Sequence, residues 1–281
     1  MRKNWKYFWQ SLLVNRISYA FFKPFIFIAD RIKASRHNYL NRAIENKSGT
    51  IASRIFNTEI VLHGPFKGMH YTSYGGTGSS SYYAKLLGSY EKEIHPFILK
   101  TFENKYESFI NIGCDDGYYA VGMAIHFKNI PVHAYDINKH ALEKARLLAR
   151  KNNVEQVNFH GRFTSQVANE YDGRRSLFIV DCEGDEVHIF TRVNVANLIS
   201  SDILIELHLH LHPEAVEYFA NLFSNTHDIS IVDSVPDHLK AMHYNYPELK
   251  ELDYSTRLFI VEEREVFMQW IFLSAKNTAH A

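Results

Sequence analysis

From residue 108 onward, short apolar runs alternate with segments of helical period. Ser108–Gly113, Val132–Asp136, Val157–His160, Ser176–Asp181 and Ile203–His208 are the runs. Runs this short, dense in Ile, Val and Phe, read as strands covered on both faces. Between them lie Tyr118–Phe127, Lys139–Asn152, Asp185–Ile199 and Pro213–Phe223, which read as helices. Lys139–Asn152 is the clearest of these, with Ala141, Leu142, Ala145, Leu148 and Ala149 along one side. Ile229–Val232 adds a strand, and Leu258–Glu262 with Val266–Leu273 read as a hairpin turning at Glu263-Arg264-Glu265. Strands joined through helices pair in parallel by right-handed crossovers. The predicted fold is therefore α/β: a Rossmann-like, mostly parallel sheet with helices on both faces and an antiparallel C-terminal hairpin.

Upstream the pattern is less regular. Gly64–Tyr71 reads as a strand or turn, Tyr74–Ser81 as a flexible Gly/Ser loop, and Lys85–Lys100 as a helix. Tyr71, Tyr74 and that loop are candidates for a lid. Residues 1–54 are expected to form a basic amphipathic helical extension, and 55–281 the α/β domain. Arg16, Lys23 and Asp30 interrupt the apolar stretch Tyr7–Ile32, which argues against a spanning helix. No small-residue cleavage site follows it, which argues against a signal peptide.

The charges change this picture in one respect. Lys and Arg number 31, as do Asp and Glu, but the balance is a cancellation. Residues 1–54 hold eleven basic and two acidic side chains, and the remainder holds 20 basic and 29 acidic. A coat for nucleic acid is thus not expected. The basic arm is suited to an anionic membrane surface, or to packing on the domain with its charges in water. Two cysteines, Cys114 and Cys182, exclude a disulfide scaffold and a multi-cysteine zinc site. A reducing, cytoplasmic setting is the expected location, with the arm either packed on the domain or in peripheral contact with a membrane.

In open α/β sheets, ligands bind beyond the carboxyl ends of the strands. The first strand ends in Gly113-Cys114-Asp115-Asp116-Gly117, and the second in Asp136, about 20 residues on, the distance expected of a carboxylate that binds ribose hydroxyls. Dinucleotide binders use G-x-G-x-x-G to seat a pyrophosphate. Here the run is G-x-x-x-G with two carboxylates inside it, which would repel a pyrophosphate and suit a cationic cofactor such as S-adenosylmethionine (SAM). A nicotinamide dehydrogenase is disfavoured on the same ground.

This segment resembles class I SAM-dependent methyltransferases. Asp181-Cys182-Glu183-Gly184-Asp185-Glu186 resembles the D-x-E-G-x-E motif of the FkbM family, and Gly64–Met69 and Lys85–Glu91 resemble regions upstream of the first strand in some members. The resemblance covers roughly residues 60–275. It implies a seven-stranded sheet, SAM as cofactor, and methylation of a hydroxyl on a sugar or other small molecule. Carried over by position, it places Gly113, Cys114, Asp115 and Gly117 under the methionine part. Asp136 falls on the ribose, Ile137 beside the adenine, Gly161, Arg162 and Phe163 at the adenine edge, and Asp181 facing the methyl. A non-catalytic SAM-binding or scaffold module, docking on a membrane or a glycan-assembly partner, is the alternative.

Methyl transfer needs alignment, and an alcohol acceptor must also lose a proton. The candidates are Asp181, Glu183, Glu186, Glu206 and His208. If the chain stays extended, Glu206, His208, His210 and His212 share one face. Three readings stand: His208 as base with Asp181 or Glu206 setting its tautomer, a divalent metal held by Asp181, Glu206 and a His, or a strand with one wet face. Glu91 and Glu93 are candidates to close the cofactor pocket, or lie on a solvated helix face.

Overall fold

The computed structural model describes residues 31, 39, 42–72, 81–193, 195–264 and 266–276. The chain divides into two compact units, Met1–Ile51 and Ala52–Ala281. In the first, residues 42–51 are helical. Most of the expected basic arm, and the Gly/Ser loop offered as a lid, lie outside the described residues. Among the described residues, no helix is long and apolar enough to cross a membrane.

The second unit is built on a seven-stranded sheet: β1 (Ser108–Ile112), β2 (Val132–Tyr135), β3 (Val157–His160), β4 (Ser176–Val180), β5 (Asp202–Leu207), β6 (His227–Asp233) and β7 (Gln269–Ala275). Their order across the sheet is β3-β2-β1-β4-β5-β7-β6. The pairs from β3 to β5 are parallel, while β7 lies antiparallel between β5 and β6. The switch point, where the order turns from β1 to β4, is where such sheets place ligands.

Strand side chains alternate between two apolar layers. Phe109, Leu177, Ile179, Leu204, Trp270 and Phe272 belong to one, and Ile110, Phe178, Val180, Ile203, Ile205 and Ile271 to the other. All five residues of β1 and of β4 are buried, each large side chain contributing roughly 1.5–3 kcal/mol. On the first layer packs the helix Lys139–Lys151, capped by Asn138, whose side chain accepts from the His140 N–H at 3.0 Å.

The structure corrects several expected elements. Leu258–Val261 is the end of a helix, Tyr254–Val261, and not a hairpin arm. Asp253 starts it by accepting from the Thr256 N–H at 2.9 Å, a cap that outweighs the β-branched run behind it. The antiparallel C-terminal pair is β6 with β7, joined through helices, and β7 is inserted into the sheet instead of added at its edge. The expected helix 85–100 is broken by a turn at Gly88 into Tyr82–Leu87 and His95–Thr101. The expected helix 185–199 stops after Glu186–Ile189, where buried Phe190 turns to extended geometry (ψ 110°). Finally, β5 ends at Leu207 and the chain turns, with the Leu211 and His212 N–H groups donating to the His208 carbonyl. His210 and His212 therefore do not continue a strand face.

Candidate functional site

The carboxyl ends of β1, β2 and β4 open on a cavity of about 790 Å³. Gly113 makes its floor possible. It sits at φ +74°, and a Cβ there would lie 1.5 Å from the Asp181 carbonyl oxygen, so only glycine allows β1 and β4 to end this close. The Gly113 and Cys114 N–H groups both donate to the Tyr135 carbonyl, at 2.9 and 3.0 Å, while Asp181 N–H donates to Ile112. The turn is thereby stitched to the strands on both sides.

Gly113, Cys114, Asp115 and Asp136 line this cavity, as do Ile137, Arg162, Phe163 and Asp181. Asp136 is fixed by two backbone donors: Asp115 N–H on Oδ2 at 2.9 Å and Asn138 N–H on Oδ1 at 2.7 Å. Phe163 is buried and meets Tyr135 edge-on at 5.0 Å, giving an apolar wall, while Arg162 and Ile137 stand exposed at the rim. Cys114 is buried among Asp136, Asp115 and Asp116, and burial first, then those charges, push its thiol above the usual range, so it is inert as a nucleophile.

Two residues of this turn make contacts that its sequence does not announce. Gly117 does not line the cavity: a Cβ on it would meet Ala145 Cβ at 2.8 Å, so its smallness admits the helix Lys139–Lys151 rather than a ligand. Asp116 does line it, but its charge is already engaged. Lys85 Nζ lies 3.2 Å away, the Tyr118 N–H donates at 3.2 Å, and Tyr71 donates its hydroxyl. Tyr71 is accordingly a buried support for the loop and not part of a lid. Lys85, a residue the sequence reading passed over, is buried with its ammonium facing Tyr71, Tyr90 and Tyr118. Burial opposes its charge, but Asp116 and Asp115 outweigh that and hold its pKa above the usual value.

Asp181 stands where this cavity meets a second, buried polar cluster formed with Glu206 and His208. His208 is 2% exposed and does not line the cavity. Its Nε2 lies 3.3 Å from Glu183 Oε2 and 3.7 Å from Asp181 Oδ1, and its Nδ1 lies 3.1 Å from Glu186 Oε1. Glu186, and neither Asp181 nor Glu206, thus sits on the Nδ1 side. The same Glu186 oxygen accepts from Cys182 N–H at 2.9 Å and Gly184 N–H at 3.3 Å, closing the loop after β4. Burial alone would lower the pKa of His208; Glu186, Glu206 and Glu183 reverse this and raise it. Burial and neighbouring carboxylates, Glu91 foremost, push Asp181 up to about 7. Burial and Asp181 raise Glu206, against the pull of Arg264. Glu183 is 88% exposed at the cavity wall, on a backbone held at φ +57°.

Behind this cluster lies an ionic chain that sequence reading missed. Arg264 pairs through one nitrogen with Glu206 and through the other, at 2.6 Å, with Glu91. Glu91 is 1% exposed, takes a hydrogen bond from Tyr119, and gives its N–H to Glu263 at 3.0 Å. Glu263 in turn meets the fully buried Lys240 at 2.7 Å. Glu91 is therefore a structural member of the site and not part of a solvated face. Glu263 and Arg264 had read as a hairpin tip; their three-residue run of charges gave no sign of burial.

No family model and no curated protein matches the chain. Among solved structures, it is similar to precorrin 8w decarboxylase of Methanobacterium thermoautotrophicum, at 16% identity and TM-score 0.44 over 65% of this chain and 89% of that one. It is also similar to an O-methyltransferase of Streptomyces achromogenes involved in tomaymycin synthesis, solved with SAM, at 12% identity and TM-score 0.42 over 63% of this chain and 77% of that one. A SAM-dependent O-methyltransferase of Thermotoga maritima gives 13% identity and TM-score 0.43 over 66% of each chain. At these scores the reading of function rests on the chain's own residues.

Proposed function

We propose that this protein is a SAM-dependent methyltransferase that methylates a hydroxyl on a sugar or other small molecule. The observation that carries the reading is the placement of two carboxyls on one cavity: Asp136 beyond β2 and Asp181 beyond β4, with the Gly113 turn between them. Asp136 Oδ1 and Oδ2 each keep acceptor capacity beyond their backbone donors, as a ribose diol requires. Phe163 and Tyr135 supply apolar surface for a purine, and the acidic turn suits a ligand carrying an ammonium and a sulfonium. The volume is within the range of small-molecule and cofactor pockets.

When bound, SAM supplies an electrophilic methyl group. The protein's share is alignment and proton management. Asp115 and Asp136 favour positive charge on the β1–β2 side, while the charge of Asp116 is met by Lys85. Asp181 marks the end of the cavity where an acceptor hydroxyl would stand, and the titratable groups beside it are Glu183, Glu206 and His208.

Isothermal titration with SAM tests the cofactor assignment. The reading expects binding by the full chain and at least a tenfold loss in Asp136→Ala. Equal affinity in that variant would refute the ribose assignment.

A further inference from the structure

We infer that Asp181, Glu206 and His208 form a binding site for a single divalent cation of the Mn²⁺ type. Among the described residues, these three each offer one ligand atom, all within 4.8 Å of one another. Three atoms this close share a central point no more than about 2.8 Å from each, within a small side-chain adjustment of a metal–ligand bond.

Three independent features point inward to the same spot. Asp181 Oδ1 is buried and lacks a hydrogen-bond partner, although such an oxygen ordinarily finds one. One carboxylate oxygen of Asp181 and one of Glu206 also lie within 4.8 Å of each other, and two carboxylates so close are favoured by a proton or a cation between them. His208 presents Nε2 to this gap, while buried Glu186 sits 3.1 Å from Nδ1. A carboxylate this near the far ring nitrogen favours the proton there and leaves the near nitrogen its lone pair. Arg264 performs the equivalent task for Glu206, gripping one carboxylate oxygen and leaving the group a second to offer. One imidazole nitrogen with two carboxylate oxygens is a mixed hard and borderline set, which suits Mn²⁺ better than Ca²⁺.

The site opens to the cavity through Asp181. A hydroxyl entering there would take an open coordination position, and the cation would lower its pKa, releasing the proton to exposed Glu183 or to water. Only this use of the ion rests on the methyltransferase reading; binding of the ion does not.

The full-length chain, without SAM, is titrated with MnCl₂ and free Mn²⁺ is followed by electron paramagnetic resonance. One ion per chain is expected, with nitrogen modulation in the pulsed spectrum of the bound ion. His208→Ala should remove the modulation and weaken binding at least tenfold. Glu186→Gln should weaken it about 10–100-fold, as loss of such outer partners does. Glu206→Gln, close to isosteric, guards against misfolding in the histidine variant and should also weaken binding at least tenfold. Asp136→Ala should keep Mn²⁺ affinity while losing SAM, so failure of one assignment is separable from failure of the other. Absence of stoichiometric Mn²⁺, or equal binding in His208→Ala and Glu206→Gln, would overturn the proposal.

Discussion

Replacing Arg264 by Met removes the cation that holds Glu206 and Glu91 together while keeping much of the side chain's volume. Arg264 is 13% exposed, and its partners' side chains are 6% and 1% exposed. Breaking a buried pair by deleting one partner costs about 3–5 kcal/mol, because the stranded charge cannot return to water. Here two carboxylates are stranded, beside a third at Asp181, so the upper part of that range is expected. Domains of this kind have only about 5–15 kcal/mol in total. The loss should also depend on pH. The Glu206 carboxyl already titrates above its usual value through burial and Asp181, and without Arg264 it rises further. A carboxyl whose folded pKa exceeds its unfolded one stabilises the fold below the unfolded value, and that contribution is lost as pH rises through the folded value. The variant's deficit should therefore be larger at pH 8 than at pH 5. Urea unfolding followed by tryptophan fluorescence at both values measures it, and adding Glu206→Gln should recover part of the deficit. A loss below about 1 kcal/mol, equal at the two pH values, would refute the claim that this chain of charges is buried and mutually dependent.

Two further outcomes follow from other parts of the fold. Gly113→Ala puts a methyl 1.5 Å from the Asp181 carbonyl, on a backbone at φ +74°; strain of about 1–2 kcal/mol adds to displacement of the β4 end. SAM affinity should fall more than tenfold and the melting temperature should drop, and unchanged calorimetry would sink the placement of the turn. His95 is half-buried with Nε2 2.9 Å from the Tyr90 carbonyl, and burial lowers its pKa from 6.5 to about 4. Its neutral form supports the fold above pH 6.5, and the benefit fades as pH falls towards 4, with about 2 kcal/mol gone by pH 5. His95→Gln should flatten that part of the stability profile; an identical profile in the variant would show that another group is responsible.

The sheet and its switch point were legible because they rest on local signals. Short apolar runs, the Lys139–Lys151 periodicity and the acidic residue ending β2 each report on their own neighbourhood. Asp136, Asp181, Glu206 and His208 could be read for the same reason, since each sits at the end of a recognisable strand. Glu91, Lys85, Lys240, Glu263 and Arg264 could not. Their burial arises from partners up to 173 positions away, and an isolated charged residue looks the same in a sequence whether it faces water or a distant counter-charge. The demand on Gly117 from Ala145, on the next helix, was hidden for a related reason. The hairpin error was avoidable, because Asp253 is a helix cap in plain view.

The insertion of β7 between β5 and β6 sets an order of events in folding. β1 with β2, β2 with β3 and β4 with β5 pair through short crossovers, so the β1–β2 end of the cavity can form early from nearby segments. β5 pairs early with β4, but its second edge waits for a strand that begins only at Gln269, and a pairing so distant in the chain forms slowly, as does that of β1 with β4. Arg264 arrives with that same segment, bridging 58 positions to Glu206. A chain arrested midway would hold a finished Asp136 side and an open, uncompensated Glu206 edge. Pulsed hydrogen exchange should accordingly find β1 with β2 protected before β7.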